Sequence, residues 1–289
     1  MSRVAVVGPG SVGVFFAAHL AAAGHDVVAC ARRPFDRYVV DSPTHALDLP
    51  ATVVTDPADV AEPAPWVLVC VKAHQTEGAA DWLERLTGER SRVLVVQNGI
   101  EHDRVVPHVN GASVLPTVVY CGAELQSPGH IVHHASAHLI CPEGDLADEA
   151  LGLFEGCEAE LRPQADFHKQ MWLKLSLNVM ANSLTALTRR DLTVFAEPGI
   201  QAVAKRLLTE VWAVARAEGA DLEDTMADRI VDASAQRTAP GGTSMYYDTL
   251  AGRATEHDAI TGAAKRAAAR HGIDTPMLDV VHTLLDTRA

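Results

Sequence analysis

The sequence predicts an α/β protein in two parts, a doubly wound parallel sheet followed by an all-helical C-terminal domain. Three observations predict it. The chain opens on a β-branched apolar run, Val4-Ala5-Val6-Val7, which a glycine-rich turn ends and an apolar stretch of helical length, 12–23, follows. Apolar runs recur at 66–71 and 92–97, as strands buried on both faces of a parallel sheet require. Beyond Pro163 the turn signals thin out and long helical patterns succeed one another.

The elements follow in order. Gly24 closes the first helix and 26–30, Asp-Val-Val-Ala-Cys, reads as a second buried strand, which completes a βαβ opening. From 114 to 141 the pieces are shorter, with Pro128-Gly129 as a turn, and suit an antiparallel edge or meander that finishes the sheet. Helices are expected over 166–188, 200–218, 222–237, 256–271 and 276–287, with Gly219 and Gly272 stopping two of them. A chain of 289 residues exceeds one compact core. The boundary is placed near 162–165, giving domains 1–164 and 165–289 that are expected to meet across a cleft.

Composition narrows the function classes. A formal net charge of −13 argues against a sequence-independent nucleic-acid binder, which needs a basic surface to displace counterions from phosphates. The five cysteines lie far apart with no C-x-x-C pair, so neither a zinc site nor a disulfide framework is indicated and a reducing cytoplasm is expected. The apolar stretch 4–24 is interrupted by Gly8, Pro9, Gly10, Gly13 and His19, which rejects a membrane span or a signal peptide.

Gly8-Pro9-Gly10-Ser11-Val12-Gly13 has the spacing G-x-G-x-x-G between a strand and a helix. The first glycine permits a tight turn, the second lets backbone approach a pyrophosphate, and the third lets helix and strand pack closely. The helix N-terminus then faces the phosphates, and the first domain reads as Rossmann-type. Arg32 lies 19 residues past Gly13, where an acidic residue would bind the ribose of NAD, and no carboxylate stands there. A guanidinium at that place offers a planar fork to a 2′-phosphate, so NADPH/NADP is the expected cofactor; a solvated surface pair with Arg33 is the alternative. Lys72 and Asn98-Gly99 follow the next two strands, where they reach the cofactor phosphates and the nicotinamide or substrate, or else form ordinary strand-end turns.

Lys174, Asn178 and Asn182 recur at i, i+4 and i+8 in an otherwise apolar helix and share one face. Asparagine is a poor helix-interior residue, and a solvated stripe would usually carry longer charged side chains. A bound polar ligand explains the pattern; solvent exposure is the alternative. Farther on, Thr255 reads as a helix cap, with Glu256 either a first-turn acid that complements the helix dipole or a carboxylate that orients Lys174. His130, His133, His134 and His138 suggest a metal, but no acidic or cysteine partner accompanies them, and surface histidines near a turn account for them better.

With these residues in view, the chain resembles the ketopantoate reductase family (2-dehydropantoate 2-reductases). The resemblance rests on the glycine motif at 8–13, Arg32, Val-Lys at 71–72, Gln-Asn-Gly at 97–99, the helix 172–182, Ser-Met-x-x-Asp at 244–248 and Gly-Arg-x-Thr-Glu-x-Asp at 252–258. It implies NADPH-dependent reduction of 2-oxopantoate to pantoate, a step toward pantothenate and coenzyme A. By the same resemblance Lys174 is the proton donor and Glu256 its positioning partner. Asn178 and Asn182 would bind substrate hydroxyls, Ser244 the carboxylate, with Asn98 near the reacting centre and Arg32 and Lys72 at the adenosine phosphate. His257 and Thr261 depart from the family pattern, which bears on which 2-oxo acid is bound. Analogy with such enzymes implies a homodimer. Residue patterns alone leave open a dehydrogenase of 3-hydroxyacid or opine type, and a non-catalytic NADP-binding sensor that would not depend on Lys174.

Overall fold

A computed structural model describes residues 1–134 and 137–288. Residues 135 and 136, within the predicted strand-rich stretch, and 289, the end of the predicted helical domain, lie outside the described residues. The chain divides into two compact units. One comprises Met1–Gln97 and His102–Phe167; the other comprises Asn98–Glu101 and the chain from His168 onward.

The first unit begins β1 (Arg3–Val7), α1 (Ser11–Ala22), β2 (Asp26–Cys30), β3 (Arg37–Asp41), β4 (Leu47–Pro50) and β5 (Thr52–Val54). It continues through β6 (Trp66–Val69), α2 (Ala80–Leu86), β7 (Arg92–Val95), β8 (Ser113–Pro116) and β9 (Val118–Tyr120). Last come β10 (Ala123–Ser127), β11 (His130–His133), β12 (His138–Pro142), α3 (Asp145–Phe154) and β13 (Glu160–Gln164).

Among the described residues the main sheet has six strands in the order β5-β2-β1-β6-β7-β8, all parallel. The chain winds outward from β1 on one side, then returns to β1's other side at β6, so the order reverses between β1 and β6. Alternation within β1 shows why the runs had to be wholly apolar. Val4 and Val6 join the core beneath Phe15 and Phe16 of α1, while Ala5 and Val7 join the opposite core with Trp82 and Leu83 of α2. The doubly wound sheet expected from sequence is therefore present.

The stretch 114–141 differs from expectation. β8 extends the parallel sheet instead of adding an antiparallel edge. The hairpin β10–β11 instead pairs with β3, which pairs with β4, and β9, β12 and β13 form a third sheet. The physical reason lies in β3: Tyr38 and Val40 are buried while Arg37 and Asp41 are exposed, so this alternating strand needs a partner of its own. The turn at Pro128-Gly129 does form, with Gly129 at φ 78.

In the second unit α4 (Phe167–Thr188), α5 (Pro198–Ala217), α6 (Asp224–Ala235), α7 (Ser244–Leu250), α8 (Ala263–His271) and α9 (Pro276–Asp286) are the α-helices among the described residues. Trp172 and Val179 of α4, Leu208 and Trp212 of α5, Ala267 of α8 and Leu278 and Val281 of α9 share one core. The backbone N–H groups of Met277 and Leu278, at the start of α9, donate to the Glu210 carboxylate of α5 at 3.0 and 2.9 Å, which supplies acceptors a helix N-terminus lacks.

The predicted helix over 256–271 is corrected in two respects. Asp258–Gly262 is a π-helical segment that precedes α8. Thr255 does not cap backbone N–H groups; its hydroxyl pairs with Nδ1 of His257 at 2.9 Å. The Thr261 hydroxyl donates to the His257 carbonyl at 2.8 Å, so a side chain takes part in the hydrogen bonding of the widened turn. Among the described residues no helix is long and apolar enough to cross a membrane.

Candidate active site

The glycine turn occupies the C-terminal edge of the parallel sheet. Val7 pairs with Cys30 on one side and Val69 on the other, so Gly8, Arg32 and Lys72 leave the sheet at the same edge, where open α/β sheets bind ligands. Gly8 adopts φ 86, and a Cβ there would lie 2.5 Å from Val71 Cγ1. A Cβ on Gly13 would lie 2.4 Å from the Gly8 carbonyl oxygen, which explains why helix and turn need glycine at both places. A Cβ on Gly10 would meet nothing within 4 Å. Gly10 is also the N-cap of α1 and offers no side-chain acceptor to the first N–H groups of the helix. This cradle fits a pyrophosphate. Pro9, Ser11 and Val12 complete the turn and are half-buried.

Arg32 is exposed and Lys72 half-buried. Lys72 starts a short 3₁₀ turn, its carbonyl accepting from the Gln75 N–H at 2.7 Å. Gln97, which sequence reading assigned no role of its own, ties two loops together: its amide nitrogen donates to the Val71 carbonyl at 2.9 Å and to the Thr76 hydroxyl at 3.0 Å. Only the loop pairing reveals this brace.

In the helical unit Asn178 and Asn182 are 8% and 5% exposed, which removes the solvated-stripe reading. Asn178 Nδ2 donates to Asn98 Oδ1 at 3.3 Å, and Asn98 Nδ2 donates to Glu256 Oε2 at 3.2 Å. Glu256 is itself buried at 8% exposure. Three candidates separated by up to 158 residues thus form one polar chain. Lys174 lies one turn before Asn178 on the same face of α4 and is half-buried. Asn98, in the turn that follows β7, therefore pairs with both Glu256 and Asn178.

Ser244 is the first residue of α7. Thr243 caps that helix, accepting from the Tyr246 N–H at 3.1 Å, and its hydroxyl lies 2.8 Å from that of Thr185 on α4. Thr185 follows Asn182 by three residues, so one face of α4 fixes both. Asp248 is buried and accepts from Arg253 Nε at 2.9 Å, closing the turn after α7. Sequence patterns gave no sign of the Thr185–Thr243 contact. Of the histidine group, His130 pairs with Asp41 at 2.7 Å and His133 is buried beside Phe15. Among the described residues no group of three or more His, Cys, Asp or Glu side chains is placed to hold a metal ion.

A parallel sheet with a glycine turn at its switch point, and a helical unit that buries a carboxamide–carboxylate chain, are features of dinucleotide-dependent oxidoreductases. Comparison with known proteins is more specific. The sequence profile of ketopantoate reductase PanE/ApbA matches residues 4–145, and that of the ketopantoate reductase PanE/ApbA C terminal matches 166–289. The chain belongs to the ketopantoate reductase family. A 2-dehydropantoate 2-reductase of Mycobacterium tuberculosis is 37% identical over 98% of this chain and 96% of its own length. That of Caulobacter vibrioides is 36% identical over 100% of both. The structure of a dimeric ketopantoate reductase from Staphylococcus aureus superposes with a TM-score of 0.88 at 26% identity, over 99% of this chain and 98% of that one. Family membership implies a nicotinamide cofactor.

Proposed function

We propose that this chain reduces 2-dehydropantoate (ketopantoate) to pantoate with NADPH, in the cytoplasm, as a step of pantothenate and coenzyme A biosynthesis. The observation that carries the reading is the buried chain Asn178–Asn98–Glu256 on the helix face that also bears Lys174. Buried carboxamides cost about 1–3 kcal/mol each when their hydrogen bonds go unmade, and a substrate with hydroxyl, keto and carboxylate groups is the kind of ligand that uses them.

Gly8, Pro9, Gly10, Ser11, Val12 and Gly13 would hold the pyrophosphate, Arg32 the 2′-phosphate, Lys72 the adenosine phosphates, and Asn98 would serve cofactor and substrate alike. When bound, the reduced nicotinamide supplies a hydride. Reduction of a ketone by hydride needs a proton donor at the carbonyl oxygen. Lys174 therefore delivers a proton to the ketone oxygen and stabilises the alkoxide as it develops. Glu256 orients that ammonium group. Asn178 and Asn182 hold the substrate hydroxyl, and Ser244 binds its carboxylate. In this division residues 1–164 handle the dinucleotide and 165–289, with Asn98, the 2-oxo acid. Similarity to the dimeric S. aureus enzyme favours a homodimer.

The test is NADPH and NADH oxidation measured side by side with 2-oxopantoate and a panel of other 2-oxo acids. Turnover of 2-oxopantoate with a strong NADPH preference is expected, and Arg32→Ala should erase most of that preference. Preference for NADH would remove the role given to Arg32, and failure of every 2-oxo acid to react would overturn the proposal.

A further inference from the structure

Asn98 belongs to the tetrapeptide Asn98–Glu101, which the chain contributes to the helical unit. Four residues cannot bury a core of their own, so their placement depends on anchors. Gly99 adopts φ 106 and lies so close to the π-helical segment that a Cβ would fall 2.8 Å from the Ala259 carbonyl oxygen. Ile100 packs against the helical core. The last anchor is ionic. Arg266 Nε and Nη2 donate to the two carboxylate oxygens of Glu101 at 2.7 and 2.8 Å, a two-pronged pair. Its Nη1 donates to Asp258 Oδ1 at 2.7 Å and Nη2 to the Asp258 carbonyl at 3.0 Å. Gly262 makes room for this: a Cβ there would lie 2.4 Å from Asp258 Oδ1 and 3.1 Å from Arg266 Nη1.

One guanidinium thus joins the end of the tetrapeptide to the segment that begins two residues after Glu256. A planar fork can hold two partners in fixed relation, as a lysine cannot. We propose that Arg266 is a positioning residue, acting through Glu101 and Asp258 to hold Asn98 against Glu256 and Asn178. The inference rests on the active-site role proposed above for those three residues.

The test compares Arg266→Met, Arg266→Lys, Glu101→Gln and the double variant Arg266→Met/Glu101→Gln. Turnover with NADPH and 2-oxopantoate gives kcat and KM, fluorescence titration gives the NADPH Kd, and crystal structures of wild type and Arg266→Met give the Asn98 contacts. Misplacement of a positioned group costs up to about 100-fold, so kcat of Arg266→Met should fall about 10- to 100-fold while the NADPH Kd stays within about 3-fold. Arg266→Lys should recover part of the loss, and the double variant should lie within about 3-fold of Arg266→Met, because both changes cut one linkage. Wild-type kcat in Arg266→Met, or losses that multiply in the double variant, would overturn the proposal. Should Arg266→Met fail to fold, Arg266→Lys and Glu101→Gln carry the same prediction in weaker form, and wild-type kcat in both would overturn it. If the wild type reduces no 2-oxo acid, the proposed function fails while crystallography still decides this inference: displacement of Asn98 from Glu256 and Asn178 in Arg266→Met supports it, and unchanged contacts overturn it.

Discussion

His102 is 6% exposed and its Nε2 has no hydrogen-bond partner. Burial holds its pKa down to about 4, against weaker opposing hydrogen bonds to the backbone of Gln97 and Thr117. His19, 4% exposed, is held down to about 4 by burial first and then by His133 and His45. A histidine whose folded pKa lies below its unfolded value takes up protons more readily in the unfolded chain, so stability falls as pH drops from about 6.5 toward 4 and levels off below that. Between pH 7 and pH 5 each group should cost about 2 kcal/mol of unfolding free energy. Urea unfolding at the two pH values measures this, and His102→Gln should remove a comparable share of the loss; an undiminished slope in that variant contradicts the assignment. Sequence patterns show which polar residues are out of place in an apolar helix, which is why Asn178 and Asn182 stood out. They do not show a partner 165 residues away, and so neither Arg266 nor the buried state of His102 was legible.

At the scale of elements, the glycine turn separates two jobs that one motif combines. Gly13 is needed for packing, since its Cβ would press on the Gly8 carbonyl at 2.4 Å, whereas Gly10 has open space. Gly13→Ala should therefore destabilise the sheet unit by about 1–3 kcal/mol through overpacking. Gly10→Ala should unfold at the wild-type urea concentration yet bind NADPH at least about 10-fold more weakly, because the added methyl occupies the approach of the pyrophosphate. Equal NADPH affinity in Gly10→Ala would show that the cradle does not meet the phosphates. The long helices were readable because apolar periodicity and stop signals agree, as at Gly272, which takes the left-handed conformation after α8. β3 and β4 were not, because neither Arg-Tyr-Val-Val-Asp nor Leu-Asp-Leu-Pro is long enough for its period to stand out in the sequence. No residue pattern in the sequence marks Asp258–Gly262 as π-helical.

For the whole molecule, sequence patterning reveals the division into a parallel sheet and a set of helices because each part repeats one kind of apolar period throughout. The transfer of Asn98–Glu101 to the helical unit is invisible to such patterning, as its cause is a few contacts to Ala259, Arg266 and Glu256. In the reaction proposed above, the sheet unit binds NADPH while Lys174 on the helical unit protonates the ketone. The most direct measurement is NADPH oxidation with 2-oxopantoate by wild type and Lys174→Ala, alongside NADPH affinity. Loss of a general acid typically costs about 10²- to 10⁴-fold, so Lys174→Ala should lose turnover by that factor while retaining NADPH affinity within about 3-fold. Equal turnover by the two proteins would contradict the account.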